Sequence, residues 1–344
     1  MWILQKLISK IVKVSLWQVA GGTVIVIALF SLIMQKIEPE TFPRFIDSVW
    51  WTMTTIVTVG YGDYFPKSDF GRILTMVFLY TFGIGAMGIM IGKIFESLSL
   101  YQRRKEEGKL TYAGKDHYIL IGSSQDKLHN VLEEIISSGH KTDIVVIDNA
   151  SKSPIDHERV HFVSGDPAEE DVLLRANILE SKSVSIFTDD KMELSEYADG
   201  KTLLIASRVE HISKQHEKSI YTIVEIKKEK HISLFEHANV DEFILSNESV
   251  SRLMAHAAIH HGSSKLFKQL LSKADGDNLY EIVKKPHWNT YKDAAIELFE
   301  MGATLISDGS SLDIARRPND RIPENAKLFV ICDEQTYTSI AGTH

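Results

Sequence analysis

Two long apolar runs without a charge, residues 17–34 and 73–91, fix what the N-terminal part of this chain can become. About 18 residues at about 1.5 Å each make a helix of roughly 27 Å, close to the thickness of a bilayer's hydrocarbon core. A soluble helix of that length would show a polar face, and these runs show none. The second run continues past Lys93 to about Leu98. Lys6, Lys10 and Lys13 precede the first run in an amphipathic stretch, and Lys93, Arg103, Arg104 and Lys105 close the second. The segment between the runs is mixed in charge, so the positive flanks place both termini in the cytoplasm. No cleavable leader is expected, because the 17–34 run is long and lacks a small-residue cleavage site. The net charge of −8 argues against a nucleic-acid partner. Cys332 is the only cysteine, which excludes an intrachain disulfide and a thiolate metal cluster.

Between the runs lies a segment too short to cross and too apolar to be a plain loop. Residues 45–56 read as a short helix with Phe45, Val49, Met53 and Ile56 on one face, and with Trp50 and Trp51 as interfacial anchors. Thr58-Val59-Gly60-Tyr61-Gly62-Asp63 follows. Extended backbone at membrane depth is tolerated only where it is buried in protein or lines a watery path. A dehydrated K⁺ needs oxygens to replace its water shell. Carbonyls of Thr58, Val59, Gly60 and Tyr61, with the Thr58 hydroxyl, supply rings of them if four chains meet on one axis. Gly60 and Gly62 let alternate residues reach φ > 0, so that successive carbonyls point the same way. The carbonyl end of the preceding helix favours a cation there.

The stretch from Trp50 to Asp63 resembles the pore region of the two-transmembrane K⁺ channels: a tryptophan pair, Thr-Val-Gly-Tyr-Gly and a trailing aspartate. The resemblance implies a homotetramer and a hydrogen bond from Trp50 to Asp63 behind the filter. Thr54 departs from relatives that carry a glutamate there, and Val57 from those with threonine. Gly83-Ile84-Gly85 matches the Gly-x-Gly of ligand-gated members, which makes Gly83 and Gly85 the expected bend of the inner helix; close helix packing is the rival reading. For Gly88 and Gly92 packing is the expectation.

Beyond a charged, partly helical linker (residues 101–116), short apolar strands alternate with helices. Strands read at 118–121, 143–147, 161–163, 184–188, 220–225 and 242–245, with helices such as 127–138 and 170–176 between them. That alternation implies a parallel, doubly wound, Rossmann-like sheet. The phosphate loop is degraded. Gly122 is kept, but Ser124 and Lys127 stand where two further glycines belong, while Asp148 sits where a ribose would be bound. An occupied nucleotide site and an empty relic both remain open. Residues 117–245 resemble the regulator-of-K⁺-conductance (RCK, TrkA-N-like) domain, on Val163-Ser164-Gly165-Asp166-Pro167 and Leu174-Arg175-Ala176-Asn177-Ile178. By the same likeness 246–272 would be crossover helices that build dimers, and 273–344 a small α+β, TrkA-C-like C-terminal lobe. The whole is similar to the prokaryotic calcium-gated K⁺ channels: a helical membrane pore module over residues 1–100 joined to a Rossmann-like cytoplasmic domain.

The resemblance implies a K⁺ channel of a prokaryotic plasma membrane, whose cytoplasmic ring, with further RCK subunits or without, pulls on the inner helices. Candidate gating ligands are a nucleotide (NAD(H), ATP/ADP or a cyclic dinucleotide) near Gly122, Ser124, Asp148 and Asp166, or a divalent cation on Asp189, Asp190 and Glu225. Lys227 stands two places after Glu225, where calcium-gated relatives have a second acid, and its charge opposes a divalent ion. His256, His260 and His261 invite a proton-sensing or metal reading, and His256 and His260 share a helix face. Two alternatives stand beside the channel: a pore subunit acting with partner subunits, and a membrane-tethered nicotinamide oxidoreductase. The second lacks an intact phosphate loop and an identifiable catalytic group, so no enzyme is expected.

Overall fold

The computed structural model describes residues 15–122, 124–137, 141–272 and 276–342. The amphipathic stretch before the first span lies outside them. The chain divides into two units, Met1–Arg104 and Lys105–His344.

In the first unit α1 (Leu16–Ile37) opens on a capping box: Gln18 N–H donates to the Ser15 hydroxyl at 3.3 Å, and Ser15 N–H donates to Gln18 Oε1 at 3.0 Å. The short helix α2 spans Phe45–Ile56. The third helix starts as α3 (Asp69–Leu74), runs through a π-helical segment at Thr75–Gly83 and continues as α4 (Ile84–Glu106). Two helices among the described residues, Leu16–Ile37 and Asp69–Glu106, are long and apolar enough to cross a bilayer. The inner helix therefore runs past the expected end near Leu98, because residues 102–107 are good helix formers and nothing there breaks the turn.

A small core of Phe30, Met34, Phe42, Trp51, Ile56 and Leu79 holds this unit together. Trp51 lies 6.2 Å from the ring of Phe30 and 5.1 Å from that of Phe42. The Ser31 hydroxyl donates to Thr52 Oγ1 at 3.1 Å, joining α1 to α2. The buried face of α2 thus carries Ser48, Trp51, Thr52 and Ile56, while Phe45 and Met53 are exposed. Small hydroxyl residues on this face let α1 approach, and the bulkiest ring fills the gap. At the far end of α1 the buried Glu38 carboxylate accepts from Lys67 N–H (2.8 Å), Ser68 N–H (2.9 Å) and the Ser68 hydroxyl (2.6 Å). It braces the start of the inner helix, where Ser68 caps α3.

The second unit contains a six-stranded parallel sheet of order β3-β2-β1-β4-β5-β6. Its strands are β1 (His117–Ile121), β2 (Ile144–Asp148), β3 (Val160–Ser164), β4 (Ser181–Ile186), β5 (Thr222–Ile226) and β6 (Glu242–Leu245). Helices α5 (Gln125–Ser137), α6 (Glu170–Arg175) and α7 (Ser195–Gln215) connect them. Near-continuous Val/Ile runs make strands buried on both faces, and separate cores cover the two sides. β4 departs from expectation. It begins at the polar Ser181-Lys182-Ser183 and ends at Ile186, before Thr188, so periodicity placed it too late. Helices α8 (Ser246–Ile259) and α9 (Ser263–Leu271) lead to an antiparallel sheet of order β7-β9-β8, from β7 (Asn278–Val283), β8 (Thr304–Asp308) and β9 (Lys327–Cys332). Helices α10 (Tyr291–Glu300) and α11 (Glu334–Ala341) complete that lobe, which has a core of its own around Trp288, Tyr291 and Leu298.

Candidate functional site

The segment after α2 alternates in backbone hand. Thr58 (φ 61°), Gly60 (φ 54°) and Gly62 (φ 75°) are left-handed, with Val59 and Tyr61 between them. Such alternation turns successive carbonyls to one side. A Cβ added at Gly60 or Gly62 would meet nothing within 4 Å inside the subunit. Backbone conformation, not space, is therefore what demands glycine there. Thr58 adopts the same hand without being glycine, at a cost of about 1–2 kcal/mol. The Thr54 carbonyl anchors the turn, accepting from Val59 N–H (2.9 Å) and Gly60 N–H (3.1 Å). Behind it the Trp50 indole donates to Asp63 Oδ2 at 2.8 Å, the bond the resemblance implied. The Trp50 ring stacks on Tyr61 at 5.7 Å with the planes 1° apart.

Gly83 ends the π-helical segment against Ile56, two residues before Thr58: a Cβ on it would stand 2.7 Å from Ile56 Cγ1. That contact gives Gly83 a packing reason to be glycine beside the expected bend. Gly85, Gly88 and Gly92 have nothing within 4 Å of an added Cβ in the subunit.

In the second unit the strand order reverses between β1 and β4, and a crevice opens at the carboxyl ends of the strands. Gly122, Asp148 and Asp166 line one cavity there of about 90 Å³, with Phe187, Asp189 and Lys201. Gly122 lets Phe187 close over the strand end, since a Cβ would lie 2.9 Å from Phe187 Cβ. Burial holds the Asp148 carboxyl above the usual carboxylate range. Ser124 does not line this cavity; it hydrogen-bonds Asp190 instead. Ligand pockets generally exceed about 300 Å³, so a nucleotide requires this crevice to open.

The carboxylates expected to hold a divalent cation hold lysines. Lys127 Nζ donates to Asp190 at 2.7 Å and to Glu225 at 2.8 and 3.0 Å, and Lys201 Nζ reaches Asp189 at 2.9 Å. Lys227 Nζ lies 3.4 Å from the Asp189 carbonyl. Among the described residues no group of three His, Cys, Asp or Glu is placed to hold a metal ion. Asp189, Asp190 and Glu225, expected as candidate cation ligands, are each engaged by a lysine in this arrangement. His256 on α8 and His260, the residue that ends it, are exposed, their rings 6.1 Å apart.

The segment after α4 is strapped onto the sheet. Gly108 carbonyl accepts from Ser164 N–H (3.0 Å) and Arg175 (3.1 Å), and Tyr112 N–H donates to the Arg175 carbonyl (2.8 Å). The Tyr112 ring sits 4.6 Å from His117 and 5.3 Å from His161. His117 Nε2 lies 2.9 Å from the Ala176 carbonyl, and His161 Nε2 3.2 Å from that of Leu110.

Two membrane-length helices on either side of a Thr-Val-Gly-Tyr-Gly turn, with a doubly wound sheet after them, define a class. The chain belongs to the potassium channels that carry a TrkA-N-type, regulator-of-K⁺-conductance domain. Residues 19–99 match the ion channel family and residues 119–246 the TrkA-N domain. The potassium channel protein YugO of Bacillus subtilis (strain 168) is 31% identical over 229 residues, 66% of this chain and 67% of that one. The calcium-gated potassium channel TvoK of Thermoplasma volcanium is 28% identical over 312 residues, 87% of this chain and 86% of that one. A solved structure of the GsuK channel bound to NAD is 15% identical, with a TM-score of 0.47, covering 94% of this chain and 58% of that one.

Proposed function

We propose that four copies of this chain surround one axis in the plasma membrane and pass dehydrated K⁺ through stacked carbonyl rings of Thr58, Val59, Gly60 and Tyr61. The observation that carries this reading is the left-handed alternation at Thr58, Gly60 and Gly62, held from behind by Thr54 and by the Trp50–Asp63 bond. The positive flanks of both spans put the termini and the sheet domain in the cytoplasm. There the domain biases the inner helices, bending near Gly85, between closed and open. A ligand does this by binding one state more tightly than the other. We assign the ligand to the nucleotide class, in the crevice of Gly122, Asp148 and Asp166, because these residues share one cavity whereas Asp190 and Glu225 are already paired with Lys127. The chain has no enzymatic role in this account; the crevice senses and does not catalyse.

Proteoliposome K⁺ flux tests it. Flux should be abolished by Gly60→Val and altered by adenine nucleotides in the wild type, and the nucleotide effect should be lost in Asp148→Ala. Flux unaffected by Gly60→Val refutes the filter; flux indifferent to every nucleotide refutes the ligand class.

A further inference from the structure

Lys127, in the first turn of α5, reaches across the carboxyl ends of β1 and β4 to β5. Its ammonium meets four oxygens from three residues: Thr188 Oγ1 at 3.4 Å, Asp190 Oδ1 at 2.7 Å, and both Glu225 oxygens at 2.8 and 3.0 Å. The Glu225 side chain is only 8% exposed and also accepts the Thr188 N–H at 3.0 Å. A compact set of hard oxygens with two carboxylates is what a small inorganic cation needs. Here the positive charge is supplied covalently. We infer that Lys127 is a tethered cation: it fills this oxygen cage in place of an inorganic ion and makes the cytoplasmic domain indifferent to Ca²⁺ and Mg²⁺ there.

Two further facts support this. Burial pulls the Lys127 ammonium down, but its bonds to Asp190 and Glu225 outweigh burial and hold it above its ordinary value, so it stays charged. A second ion beside it would also face Lys227, whose Nζ lies 3.4 Å from the Asp189 carbonyl and whose charge helps lower Asp190. Repulsion at such distances is strong wherever water is partly excluded. Removing the ammonium, by contrast, leaves a buried carboxylate and its neighbour unneutralised, which creates a demand for an ion.

The inference rests on the gating role of the crevice only for its effect on current; the ion pair itself is read by unfolding, whether or not the domain gates the pore. The full-length channel in detergent is melted with EDTA, with millimolar CaCl₂ and with MgCl₂, as wild type, Lys127→Ala, Lys127→Arg and Lys127→Ala/Glu225→Gln. The wild type and Lys127→Arg should melt at the same temperature in all three. Lys127→Ala should melt lower in EDTA and recover most of the loss in CaCl₂, and the double variant should not recover. If Lys127→Ala fails to fold, Lys127→Gln, which keeps a hydrogen-bonding arm without the charge, takes its place. A wild-type melt raised by Ca²⁺ or Mg²⁺ would overturn the inference. So would a Lys127 variant that melts like the wild type or gains nothing from Ca²⁺.

Discussion

Gly83→Ala tests how the inner helix is coupled to the filter. The added carbon would stand 2.7 Å from Ile56 Cγ1 and 3.2 Å from its Cδ1. Carbon pairs rest at about 3.5–4.0 Å, so the helices must part by roughly an ångström or Ile56 must leave its rotamer. Overpacking of this kind costs about 1–3 kcal/mol, against a gain of about 1 kcal/mol from alanine's better helix propensity. The net loss is at most about 2 kcal/mol, too little to unfold the unit. Its direction matters more than its size. Ile56 precedes Thr58 by two residues, so its displacement is passed to the filter turn. Gly83→Ala should lower unitary conductance, and Ile56→Ala added to it should restore much of the loss by opening the space. The assay is single-channel recording in planar bilayers, with melting of the purified channel beside it. A double-mutant cycle should give a coupling of about 1–3 kcal/mol in stability. If Gly83→Ala is silent, or if its defect is equal with and without Ile56→Ala, packing is not why glycine is there, and the bend alone explains it.

Three further outcomes are expected. Trp50→Phe removes the donor to Asp63 and should weaken K⁺ over Na⁺ discrimination in bi-ionic reversal potentials; Asp63→Ala should do the same, and the double variant little more. The linker strap should loosen in acid. Burial lowers both His117 and His161 below the ordinary value of 6.5, against the raising influence of Asp143 on both and of Asp116 on His117, while Lys105 lowers His161 further. His117 Nδ1 is buried without a partner, so a proton there finds no acceptor. A depressed folded value means the strap's contribution is complete above pH 6.5 and is lost as pH falls through the folded values. Hydrogen exchange of residues 108–116 in the full-length channel, corrected for intrinsic rates, should accelerate below about pH 6.5 ahead of global unfolding; a pH-independent rate contradicts this. Glu38→Ala strands two backbone donors and the Ser68 hydroxyl, and should lower the melting temperature of the channel without changing ion selectivity.

Much of this was legible in the sequence because it is local. Apolar run length, flanking lysines, the glycines at 60 and 62 and the Val/Ile strand runs each impose their structure within a few residues. What escaped notice depends on partners far along the chain. Thr58 adopts a left-handed backbone without being glycine because the Thr54 carbonyl collects the two following amides, and propensity does not record that. The packed face of α2 was set by α1, not by the apolar stripe. Lys127 was visible only as a missing glycine; its bond to Glu225 spans 98 residues. The lysines that surround Asp189, Asp190 and Glu225, Lys227 among them, are the signal the sequence carries for this pairing. Glu38 and the histidines around Tyr112 carried no sequence motif at all.

Selective passage of K⁺ through the Thr58–Gly62 segment is measured by a bi-ionic reversal potential. The purified channel is reconstituted in a planar bilayer with K⁺ on one side and an equal concentration of Na⁺ on the other. The current should reverse only at a large potential opposing K⁺ flow, and in Gly60→Ala the reversal should collapse toward zero or the current vanish. A wild-type current reversing near zero, or a Gly60→Ala channel with undiminished selectivity, would contradict it.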